Sequence, residues 1–190
     1  MPKRDRLHFT GDEEANRLLV REPLALVIGF ALDQQVTVQT AFTGPLKLKQ
    51  RLGKLDATEV AAMDPTELEA VFCEKPAVHR FPRNMAKRTQ DLCSNISEEY
   101  GGDAARIWTE ALNAAELQAR IAALPGFGEM KIASFTAVLA KLLGVRPPGI
   151  EEVLPDYPTM GDVTSAKALE AYQATKRAAK DARRAHSTSG

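Results

Sequence analysis

The most chemically pointed stretch of the chain is Leu124-Pro125-Gly126-Phe127-Gly128, set between two helix-forming segments. Pro125 stops the first helix, and the two glycines admit a tight turn with positive φ. The next helix opens at Glu129. Such a turn leaves several backbone N–H groups at a helix N-terminus without intrahelical partners, and a cluster of that kind binds phosphate. Glycine also removes the side chains that would hold a nucleic-acid strand away. Contacts of this sort position a protein on a strand without reading its sequence. An ordinary Pro-Gly turn between two core helices would use the same residues. Two basic stretches could accompany it: Lys75, Arg80, Arg83, Lys87 and Arg88, with His79 and Phe81 among them, and Lys176, Arg177, Lys180, Arg183 and Arg184. Each would follow a phosphate strand or form a solvated helix face. Tyr157, Tyr172 and Trp108 could stack on a base, core packing being the ordinary role of Trp108.

A second landmark precedes the turn by about ninety residues, in Ala31-Leu32-Asp33-Gln34-Gln35-Val36-Thr37. With the segment Ala122 to Ala133 it resembles the helix-hairpin-helix DNA glycosylase superfamily that includes endonuclease III, MutY and the alkyladenine glycosylases. The likeness rests on the "LPGxG" core, a small residue at Ala133, and the similarity of residues 31–37 to "ILSQQ" or "IIGQQIS" segments. Phe81-Pro82-Arg83-Asn84-Met85-Ala86-Lys87-Arg88 is a weaker third match, and the resemblance spans about Pro23 to Lys180. It implies an all-α fold of two lobes around a cleft. Residues 23–133 would form one lobe, and residues 1–22 with 134–190 the other. It implies that Gln34 or Gln35 fills the space left by a flipped base. Two donors and an acceptor on a slim stem suit that role. It also implies DNA contacts at Gly126, Phe127, Gly128 and Lys131, and a monovalent cation, Na⁺ or K⁺, on the backbone carbonyls of Ala122, Leu124 and Phe127.

The implied chemistry is hydrolysis of an N-glycosidic bond. Its transition state resembles an oxocarbenium ion, which a nearby carboxylate stabilises. The family's aspartate follows the hairpin, in a Gly/Pro-rich loop leading into a helix. Here Asp162, in Gly161-Asp162-Val163-Thr164, is favoured for the role. Glu151 matches better in spacing but is not Asp, and Asp156 has no helix signal after it. Bifunctional members place a lysine two residues after the last hairpin glycine, for attack on the sugar as a Schiff base. This chain has Met130 there. Lys131 is one residue, or about 100°, further round the helix. A monofunctional DNA N-glycosylase of base excision repair is therefore the reading. A non-catalytic helix-hairpin-helix module that binds DNA shape is the alternative, and an interaction scaffold with a merely structural hairpin is a third class.

The elements that must carry these groups are helices. Alternating strand patterns are scarce, and helix starts are marked at Asp12, Pro23, Asp56, Asp64-Pro65, about Asn84, Asn113, Glu129, and Asp162 or Thr164. Residues 144–161 carry Pro147, Pro148, Gly149, Pro155 and Pro158, with one short turn expected at Ile150 to Leu154. The 190 residues suffice for one domain or two small lobes, and 44% hydrophobic residues exclude wholesale disorder. Lys and Arg number 25 and so do Asp and Glu, so any hold on double-stranded DNA must come from a local patch. The apolar run Leu24–Leu32 falls far short of the roughly 20 residues that span a bilayer, so no membrane partner is expected. Cys73 and Cys93 can neither build a disulfide framework nor ligate an iron–sulfur cluster alone, and His8, His79 and His186 are too scattered for a metal set. The expectation is a monomer of a reduced cytoplasm, associated with the nucleoid if bacterial.

Overall fold

The structure, a computed structural model, describes residues 4–187, without the side chains of Lys180 and residues 183–187. Every regular element among the described residues is helical. In chain order they are α1 (Glu13–Arg21), α2 (Pro23–Leu32), α3 (Val38–Leu52), α4 (Ala57–Ala62), α5 (Pro65–Cys73) and α6 (Pro82–Tyr100). Then come α7 (Arg106–Thr109), α8 (Ala114–Ala122), α9 (Glu129–Leu142), α10 (Ile150–Val153), a 3₁₀ turn (Met160–Asp162) and α11 (Ala166–Ser187). None is long and apolar enough to cross a membrane.

Caps start the helices where the sequence marks them. The carboxylate of Asp12 accepts from the Ala15 N–H, that of Asp56 from Glu59, and that of Asp64 from Thr66 and Glu67. The Asn113 side chain accepts from Glu116 at the start of α8. Each such cap is worth about 1 kcal/mol. One helix was not marked in the sequence, and one starts later than expected. α3 carries Gly44-Pro45 in its interior, a pair that ordinarily breaks a helix. Packing overrides propensity here, because α3 crosses α2 closely through Gly29 and Gly44. A Cβ at Gly29 would stand 2.5 Å from the Phe42 ring, and one at Gly44 2.5 Å from Leu32 Cδ1. The last helix begins at Ala166, where the Ser165 hydroxyl accepts from Ala168 N–H, so neither Asp162 nor Thr164 caps it. Asp162 instead closes the 3₁₀ turn in a reciprocal cap with Thr159. Gly161 presses that turn onto α9, since a Cβ there would lie 2.7 Å from the Ala137 backbone.

α4 and α5 pack on α6, α1 on α2 and α3, and α8 on α9. A row of buried aromatic rings joins these groups. Phe9 meets Phe42 at 4.9 Å between centroids, Phe42 meets Phe30 at 5.1 Å, and Phe30 meets Phe135 at 4.7 Å. Phe135 then touches Trp108 and the hairpin's Phe127, at 6.0 and 6.1 Å. Such pairs contribute about 0.5–1.5 kcal/mol each beyond area burial. The row ties the C-terminal end of α2, with its glutamines, to the start of α9, with its hairpin.

Candidate active site and nucleic-acid interface

The turn between α8 and α9 is built as its residues suggest. Gly126 adopts φ +82°, and Gly128 is extended and precedes α9 without a side-chain cap. Nothing lies within 4 Å of a Cβ built at either glycine, so both face open space. Lys131 and Ile132 N–H bond back to the Gly128 carbonyl, whereas the amides of Gly128, Glu129 and Met130 have no acceptor among the described residues. Three free N–H groups thus gather at the positive end of a helix, an arrangement that favours an anion. Phe127 lies differently: its ring is buried against Phe135, so only its backbone is available to a strand.

The loop after α2 carries the glutamines, and the structure separates them. The Gln34 side chain is half-buried and accepts from Arg88 at 2.5 Å. Gln35 is exposed, and its side chain has no hydrogen-bond partner among the described residues. It is also the one described non-glycine residue at positive φ, +55°. A left-handed backbone costs such a residue about 1–2 kcal/mol, and strain of this kind clusters at functional sites. His79 holds the loop in place from beneath. Its Nδ1 accepts the Phe81 N–H at 3.0 Å, so the ring proton sits on Nε2, which donates to the carbonyls of Leu32 and Gln34, each at 3.1 Å. Burial lowers the His79 pKa from its ordinary value, which favours this neutral tautomer.

Between loop and hairpin lies a cleft of about 820 Å³, lined by Val36, Gln39, Met130, Gln173, Lys176 and Arg177. Met130 is exposed there. Gln39 and Gln173 hydrogen-bond reciprocally across the cleft, at 2.7 and 3.3 Å, and so link α3 to α11. Lys131 is turned inward. Its ammonium donates to the Ala31 carbonyl at 3.2 Å, stands 5.6 Å over the Phe127 ring, and is lowered by burial to about 8.

The expected carboxylates have partners of their own or stand exposed. Asp162 accepts from Lys141 Nζ at 2.8 Å and from Thr159 N–H at 2.9 Å. Partial burial pushes its pKa up, but those bonds outweigh it and hold the group below the usual carboxylate range. Glu151, on α10, is exposed and ion-paired with Arg146, while α10 packs on α8. Asp156 is exposed. A further acid, not singled out in the sequence, is Asp33, at the C-terminal end of α2. It is partly buried and makes no hydrogen bond or ion pair among the described residues through its carboxylate. Burial raises its pKa, against Lys176, Lys131 and His79, which lower it.

Of the first basic stretch, Lys87 pairs with Asp91 at 3.0 Å, Arg83 stands 4.0 Å from Glu69, and Arg80 lies over the exposed Phe81 ring at 5.2 Å. In the second, Lys176 lies over Tyr172, and the side chains of Lys180, Arg183 and Arg184 fall outside the described residues. Trp108 is half-buried on the edge of Phe135, and Tyr157 is exposed.

A model of the HhH-GPD superfamily of base excision DNA repair proteins matches residues 28–189. The chain belongs to that superfamily. No curated protein and no solved structure matches it. The matched span of this HhH-GPD protein takes in the glutamine loop, the hairpin and the whole cleft, and DNA is accordingly its partner.

Proposed function

We propose that this HhH-GPD protein is a monofunctional DNA N-glycosylase that works as a monomer on double-stranded DNA. One observation carries the reading: Val36, which follows the strained and unpartnered Gln35, and Met130, which bears one of the hairpin's open amides, line the same cleft. Amides at Gly128, Glu129 and Met130 clamp a phosphate, Gln35 enters the gap left by the extruded base, and the cleft receives that base. Met130 in place of an amine removes the Schiff-base route at that position. The hairpin carbonyls suit a monovalent cation. Leu124 already accepts the Phe127 N–H, but the carbonyls of Ala122 and Phe127 accept nothing among the described residues. Held there, Na⁺ or K⁺ would add positive charge beside the phosphate.

The resemblance assigns the sugar cation to Asp162 or Glu151. Both are engaged by basic partners. That engagement favours a second reading, a helix-hairpin-helix protein that binds DNA without excising a base. Gel-shift and base-release assays over a panel of damaged duplexes separate the two. An excised base, leaving a site that breaks only under alkali, supports the glycosylase. Binding without release from any lesion supports the module.

A further inference from the structure

We propose that Asp33 is the carboxylate that faces the sugar in this protein, in place of an acid from the loop after the hairpin; the proposal rests on the glycosylase reading. Asp33 ends the buried helix α2, two residues before Gln35. The chain around it is gripped from both sides: Lys131 takes the Ala31 carbonyl, and His79 takes those of Leu32 and Gln34. The Ala31, Leu32 and Gln34 carbonyls are thereby used, while the Asp33 carboxylate is left without a hydrogen bond or ion pair among the described residues. Burying a charge without a partner is costly, so such a group calls for a purpose. Asp33 stands between Ala31, whose carbonyl takes the Lys131 ammonium, and Val36, which lines the cleft with Met130, so the chain sets it beside the cleft. Tyr172 feels the charge of Asp33 as well: burial first, then Asp33, and after it Tyr157 and Asp162, push its phenol up to about 12, which keeps it a hydrogen-bond donor.

A nucleotide extruded beside Gln35 brings its C1′ to this acid. The C1′–N bond breaks with its electron pair leaving on the base. The ionised carboxylate stabilises the resulting cation, and a water oxygen bonds to C1′. Asp33 accepts a proton from that water and passes it to the departing base, so it ends ionised again. Lys131 and His79 are positioning residues, since they hold the main chain and not the sugar.

The test needs no knowledge of the lesion. Duplexes carrying a pyrrolidine abasic analogue, which is cationic, or a tetrahydrofuran analogue, which is neutral, are bound by wild type, Asp33→Asn, Asp33→Ser and Asp162→Asn. Wild type is expected to prefer pyrrolidine by about tenfold, the scale of one charge–charge contact in a partly dry crevice. Both Asp33 variants should lose that preference and keep their tetrahydrofuran affinity, with circular dichroism showing the helices intact. A preference that survives at Asp33→Asn and Asp33→Ser, or disappears at Asp162→Asn instead, overturns the assignment. So does tetrahydrofuran binding by wild type with no preference at all. If wild type binds neither duplex, the glycosylase reading itself fails.

Discussion

Glycine does opposite work in two regions of this molecule. At the α2–α3 crossing, Gly29 and Gly44 are filled sites, where an added carbon would stand 2.5 Å from Phe42 or Leu32. At the hairpin, Gly126 and Gly128 are empty sites with nothing within 4 Å. The first pair lets two helices touch and has no bearing on a ligand. The second has no neighbour in the protein to accommodate, and a close-approaching strand would supply one. One residue type is thus spent on packing in one place and on access in the other, and only the space around it tells them apart.

Substitutions at these glycines test that contrast. The largest effect is expected at Gly161→Ala, a third filled site, because the new carbon meets the Ala137 backbone, which cannot turn aside. A loss of about 3 kcal/mol, the upper end of overpacking costs, should appear as a lower midpoint in urea. Gly29→Ala should lose less, about 1–2 kcal/mol, since helix propensity gains roughly 1 kcal/mol against the clash with the fully buried Phe42 ring. Gly128→Ala should leave the midpoint within about 0.5 kcal/mol, because its φ is −87° and its surroundings are open. Its DNA affinity should nevertheless fall about tenfold in fluorescence anisotropy, the loss of roughly one charge-assisted hydrogen bond. An equal stability loss at Gly128 and Gly29 would erase the distinction.

Gln35→Gly extends the contrast to strain. Glycine accepts φ +55° without the left-handed cost, so the thermal midpoint should not drop, while base release slows. A clear drop in the midpoint would mean that the glutamine side chain holds the loop together. The smallest effect is acidic. His79 has a folded-state pKa below its ordinary 6.5, so the folded chain binds that proton less readily than the unfolded one. Its contribution is therefore fully present above pH 6.5 and is lost as pH falls through the lowered value. Urea titrations between pH 7 and 5 should show this decline, and His79→Gln should flatten it.

Much of the helical framework was legible because its signals are local. Asp12, Asp56, Asp64 and Asn113 cap the helices they precede, and Pro23 and Pro65 stand at first positions. The hairpin was legible for the same reason. α3 was not, since no start signal marked it and the closeness of α2 is what accommodates Gly44-Pro45 in its interior. The start of α11 was set too early because Asp162 and Ser165 are both good caps, and only the contact of Gly161 with α9 assigns Asp162 to the 3₁₀ turn. Gln34 and Gln35 could not be told apart, because a hydrogen bond from the distant Arg88 and one backbone angle separate them. The crevice around Asp33 draws on Lys131, His79 and Lys176, from three distant segments, so no local pattern announces it.

The docking of a strand on the hairpin is tested most directly by following backbone amides in nuclear magnetic resonance while a tetrahydrofuran-containing duplex is added. The expected result is movement of the Gly126, Gly128, Glu129 and Met130 amides together with the Gln35 side-chain amide, while those of α4 and α5 stay still. Binding that moves other surfaces and leaves these five signals in place would contradict it.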